Sequence, residues 1–128
     1  MNTNPDNAND GDWFIDSEAH FGLGSDGYSS IKIEKNTWHR LGMVIDADKK
    51  SRRYFIDGLF SHEALDVNMD GCFAINSLQN EKPICLFFAD DNGEDAAIDV
   101  RRIILYETPL SDAQMKILGD CSQSRFGL

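Results

Sequence analysis

Apolar and polar residues alternate most clearly between Thr37 and Asp46, where Leu41, Met43 and Ile45 take one face and Trp38 and Val44 the other. A period of two is the signature of a strand, and apolar residues on both faces predict a central strand, with Trp38 packed inside. The polar loop Ala47–Ser51 interrupts the pattern before a second strand, Arg52–Ile56, runs into Asp57-Gly58 and then Leu59-Phe60. An Asp-Gly pair between apolar residues predicts a tight hairpin, because both central positions of a type I′ turn need positive φ. Before this pair, the spacing predicts short strands at Asp12–Asp16, Ala19–Leu23 and Ser30–Ile33, with a turn at Gly24–Gly27. Beyond it, the pattern predicts a short strand at Cys72–Ile75, a buried strand at Ile84–Ala89 and a last long strand at Ile98–Tyr106. A single helix follows: Ser111 reads as its N-cap, Gln114 completes a capping box, and Gly119 supplies the stop. Short strands at regular spacing, with one terminal helix, predict an all-β antiparallel sandwich.

Two separated stretches carry a resemblance. Trp38-His39-Arg40-Leu41, Ile45-Asp46 and Tyr54-Phe55-Ile56-Asp57-Gly58 resemble a strand pair of laminin-G-like, concanavalin A-like jelly rolls. The run Ile103–Leu118 is similar to that family's closing strand and short helix. Asn9-Asp10-Gly11-Asp12 and Leu86–Glu94 resemble motifs of laminin-G-like modules found beside hydrolase domains such as metallophosphoesterases. The resemblance implies a jelly-roll domain over residues 11–119, with 1–10 as a flexible lead-in and 120–128 as a tail. It also implies that the family's first strands are missing, which would leave a sheet edge open. Arg101 or Arg102 stands where the family often has an acid early in the closing strand, with Asp99 nearby.

Composition narrows the partners. The chain has 128 residues, enough for one domain with a core, and its net charge of −10 disfavours nucleic acid and anionic membranes. Its polar, acidic start has neither the basic nor the apolar region of a signal peptide, and no apolar run reaches membrane-spanning length. Three cysteines, Cys72, Cys85 and Cys121, match no zinc or redox spacing, so at least one is unpaired within the chain.

The candidate chemistry is a cation loop. Asp90, Asp91, Asn92, Glu94 and Asp95 surround a glycine turn, and hard cations such as calcium favour many oxygen ligands on a flexible loop. Asp10 and Asp12 form a second acidic cluster; in the resembled modules the two motifs recur together, which makes them candidates to share one ion. For a carbohydrate, the candidate aromatic platforms are Trp13, Tyr28 and Tyr54. Gly22-x-Gly24-x-x-Gly27 matches a dinucleotide fingerprint as a string, but the β-prone residues after it remove the required helix. His62-Glu63 lacks the second histidine of a zinc-protease helix, and no carboxylate pair is spaced for glycoside hydrolysis, so no catalytic residue is expected. The function that the resemblance implies is a non-catalytic module recognising carbohydrate or a protein surface, with calcium as candidate cofactor, appended to a larger secreted protein and located outside the cell or in the periplasm. The alternative is an assembly unit that forms a homodimer by edge-strand pairing and has no small-molecule site.

Overall fold

The computed structural model describes residues 14–24, 26–66 and 97–119. The chain divides into two compact units, one of Met1–Trp13 and Asn68–Leu105 and one of Phe14–Val67 and Tyr106–Leu128. The second unit is mostly β. It holds β1 (Phe14–Ile15), β2 (His20–Leu23), β3 (Gly27–Lys32), β4 (Leu41–Asp46), β5 (Ser51–Ile56), β6 (Leu59–Ala64) and helix α1 (Asp112–Gly119). The strands form two antiparallel sheets, ordered β1-β2-β3 and β4-β5-β6, and among the described residues neither sheet is closed.

The second sheet grows from two hairpins. At the β5–β6 connection Asp57 and Gly58 have φ of 51° and 77°, the left-handed pair that a type I′ turn requires. Ile56 faces Leu59 directly across it. The β4–β5 loop closes with Lys50 at φ 50° and pairs Asp46 with Ser51. β5 therefore lies between two strands and is buried along nearly its whole length. That is a finding against the expectation that placed the central strand at Thr37–Asp46. β4 begins only at Leu41 and, among the described residues, pairs on one side.

Trp38 is the clearest correction: it is 62% exposed rather than packed. The reason lies in Asp57. Its carboxylate accepts the Arg40 N–H at 2.8 Å and meets His39 Nδ1 at 2.8 Å, so the segment before β4 follows the hairpin turn instead of extending the strand. Period-two alternation holds only while the chain stays in the ladder.

In the first sheet, β2 carries an irregularity between His20 and Gly22 that leaves Phe21 out of register. The Phe21 amide donates to Ser29 Oγ at 3.0 Å, and that hydroxyl in turn donates to the Ile31 carbonyl at 2.6 Å. The freed Phe21 side chain is fully buried and meets the Tyr54 ring edge-on, with centroids 5.5 Å apart. An aromatic from each sheet thus meets between them, and Ile56 is buried on the same face of β5 as Tyr54, while Val44 and Phe55 are buried on the opposite face of the second sheet.

Helix α1 begins as the sequence predicts. Ser111 N–H donates to Gln114 Oε1 at 2.8 Å and Gln114 N–H to Ser111 Oγ at 3.3 Å, a reciprocal capping box. Met115 lies over Gly42, and the last turn of the helix rests on Gly58, so both contacts need glycine's missing side chain. Residues 97–106 carry no strand and are exposed, against the predicted strand Ile98–Tyr106. Alternation alone does not make a strand without ladder bonds to a neighbour, and this segment belongs to neither of the two sheets. The predicted strands Cys72–Ile75 and Ile84–Ala89, the tail 120–128 and the three cysteines lie outside the described residues.

Candidate functional site

The expected cation ligands Asp10, Asp12, Asp90, Asp91, Asn92, Glu94 and Asp95, and the expected platform Trp13, all lie outside the described residues. Among the described residues no cluster of three or more histidine, cysteine or acidic side chains is placed to hold a metal ion. Of the remaining expected platforms, Tyr28 sits on β3 and is 38% exposed. Tyr54 sits on the central strand β5 with no exposed surface, so neither of its faces meets solvent. The strand β3, not a helix, follows the glycines 22, 24 and 27, and His62-Glu63 lies on strand β6.

Tyr54 belongs to a buried polar cluster between the sheets. The Asp26 side chain is wholly enclosed, and its two oxygens meet Arg52 Nη2 at 2.7 Å and Nε at 2.6 Å. The Tyr54 hydroxyl donates to Asp26 Oδ2 at 2.7 Å. Burial first, and the bond to Asp26 second, push the phenol far above its ordinary range, so Tyr54 remains a neutral donor. On its other side the Tyr54 ring stacks on His62, with centroids 4.4 Å apart and planes 4° from parallel. Burial holds the His62 imidazole below its usual pKa, because a charge there would be poorly solvated. This cluster joins β5 and β6 to the β2–β3 connection; its chemistry is cohesive.

Other polar side chains join elements in the same way. Arg53 reaches from β5 to Asp112 and donates to the Leu110 carbonyl at 2.8 Å, tying the sheet to the helix N-terminus. Asp46 takes the Lys49 ammonium at 2.7 Å and its amide at 3.2 Å, which lowers the Asp46 pKa, the side-chain bond contributing most. Asp16 accepts the amides of His20 at 2.8 Å and Glu18 at 2.9 Å, closing the β1–β2 turn, and the His20 amide is the larger cause of its lowered pKa. Asp46, Lys49, Arg53, Leu110 and Asp112, with Pro109, Ser111 and Gln114, line an open recess.

The feature that sequence reasoning missed is the presentation of Trp38. His39 Nε2 accepts the Glu34 N–H at 3.2 Å, which leaves its Nδ1 to carry the proton donated to Asp57 Oδ2. Asp57 N–H donates to the Arg40 carbonyl at 2.8 Å, while its Oδ1 holds the Arg40 amide. The residues following the indole are therefore clasped to a rigid turn while the indole itself stands in water. The only signal available beforehand was Asn36, a residue tolerant of positive φ and found at 59°, which turns the chain just before Trp38.

No family model matches this chain, and neither does any curated protein. Among solved structures the chain is similar to a fragment, residues 221–444, of an S-layer domain-containing protein from Clostridium thermocellum ATCC 27405, at 13% identity and a TM-score of 0.52. The match covers 72% of this chain and 43% of the neighbour's, so this chain spans less than half the length of that fragment. At this identity the likeness is one of fold.

Proposed function

We propose that this chain is a non-catalytic binding module recognising a carbohydrate or a protein surface, and that its two sheets are part of a laminin-G-like, concanavalin A-like jelly roll. The observation that carries the reading is Trp38, an indole 62% exposed on a backbone held by Asp57. Stability gives no reason to keep so large an apolar side chain in water, whereas a binding site gains from a rigid, pre-positioned anchor. The module is proposed to work outside the cell or in the periplasm as part of a larger secreted protein, in keeping with a structural neighbour from an S-layer domain-containing protein. Among the described residues no helix is long and apolar enough to cross a membrane.

Calcium remains the proposed cofactor, with Asp90, Asp91, Asn92, Glu94 and Asp95 as candidate ligands and Asp10 and Asp12 as the second cluster. A glycan array probed with and without calcium tests both parts. Saturable glycan binding supports the module, and its loss in chelator supports the ion. Titration calorimetry with calcium that shows no heat, together with an unchanged melting temperature, removes calcium from the proposal. The second reading is assembly, favoured by one observation: among the described residues β4 and β6 pair on one side only. Sedimentation velocity that reveals a concentration-dependent dimer, with no glycan bound, selects assembly instead.

A further inference from the structure

We infer that Trp38 is the stacking platform of this module and that its ligand is a neutral pyranose chain; the inference rests on the binding-module reading above. Three properties of the segment lead to it. First, the indole is 62% exposed, the most of any aromatic side chain among the described residues. Second, the two residues that follow it are held by three bonds: His39 Nδ1 to Asp57 Oδ2 at 2.8 Å, and the Arg40 amide and carbonyl to Asp57 at 2.8 Å each. A side chain borne next to an ordered backbone leaves only its own rotamers to be fixed on binding. Third, Glu34, Lys35, Asn36, Thr37 and Arg40 in the same segment are exposed and polar.

These properties choose among ligand classes. The core of a protein interface is an apolar area from which charged residues are depleted, whereas the chain flanking this ring carries the exposed charged residues Glu34, Lys35 and Arg40. A pyranose, by contrast, has an axial face of C–H groups with slightly positive hydrogens, which suits the negative face of an indole, and a rim of hydroxyls for surrounding polar groups. A polyanionic glycan would meet a protein of net charge −10 and be repelled at a distance. The neutral sugar is the class that fits all three.

Affinity electrophoresis of the full chain through gels containing hydroxyethyl cellulose, laminarin, glycol chitin or heparin tests this. At least one neutral polysaccharide is expected to retard the parent protein. Trp38→Ala is expected to weaken that binding by about tenfold or more, the scale of losing one aromatic anchor, and Trp38→Phe to weaken it less. The exposed site makes unfolding an improbable confounder, and far-ultraviolet circular dichroism of each variant verifies the fold. In parallel, the tryptophan emission of the parent should shift to shorter wavelength as the neutral polysaccharide is added, and that shift should be lost in Trp38→Phe, whose sole indole is Trp13, since the chain has two tryptophans. Binding by Trp38→Ala equal to the parent overturns the platform while leaving the module intact. Retardation by heparin alone overturns the neutral class. No retardation of the parent by any of the four overturns the carbohydrate reading itself.

Discussion

Replacing Asp26 with asparagine keeps the shape of the buried cluster and removes only its negative charge. Arg52 stays where it is, with 8% of its side chain exposed, beside a carboxamide in place of a carboxylate that was wholly enclosed. Breaking a buried pair from one side costs about 3–5 kcal/mol, because the remaining charge is left without its counter-ion in a poorly polarisable setting. Tyr54 shares the same acceptor, so its bond is not an independent increment. A loss of about 4 kcal/mol, at a urea slope of about 2 kcal/mol per molar, moves the unfolding midpoint down by about 2 M. Urea titration followed by circular dichroism measures it. The double variant Asp26→Leu with Arg52→Met should regain part of the loss, since it leaves no stranded charge but removes the acceptor of the buried Tyr54 hydroxyl. Glu18→Gln provides the contrast: its pair with Lys32 spans 3.8 Å between side chains 71% and 61% exposed, and screening limits its worth to under about 1 kcal/mol. The reasoning is refuted if Asp26→Asn and Glu18→Gln shift the midpoint equally, or if the double variant is no better than the single.

Two further outcomes follow from the same contacts. Gly58→Ala places a methyl group where φ is 77° and where the Met115 and Lys116 carbonyls stand 2.8 and 2.9 Å away, so it should cost roughly 2–3 kcal/mol and loosen the helix from the turn. Gly42→Ala meets only the flexible end of Met115 and Phe55, and should cost less; thermal unfolding of the pair gives the ranking. Stability should also fall on acidification. The folded-state pKa of His62 is depressed, so its contribution is intact above about pH 6.5 and is lost as pH drops below that, when the unfolded chain takes up the proton first. Asp16 and Asp46, also depressed, add losses of the same sign as pH falls below the ordinary aspartate value of 3.8. Melting temperatures between pH 8 and pH 5 should decline less steeply for His62→Phe than for the parent, and equal slopes would remove His62 from this account.

What the sequence determined by itself was local. Asp57-Gly58 declared its turn because few other residue pairs tolerate two successive left-handed conformations, and the hairpin β5–β6 followed. Ser111 and Gln114 declared the helix start because their bonds span three residues. The tertiary structure decided everything that depended on partners far along the chain. Arg52 and Arg53 sit on the central strand, paired with Asp26 and Asp112, each brought close only by folding. Tyr54 stood beside Tyr28 among the candidate platforms, and folding packed Phe21 and His62 against it. Trp38 looked like core until the Asp57 carboxylate, eighteen or so residues away, drew its neighbours out of the ladder. Alternation records which side of a strand a residue would take, and long-range hydrogen bonds settle whether the strand exists there at all.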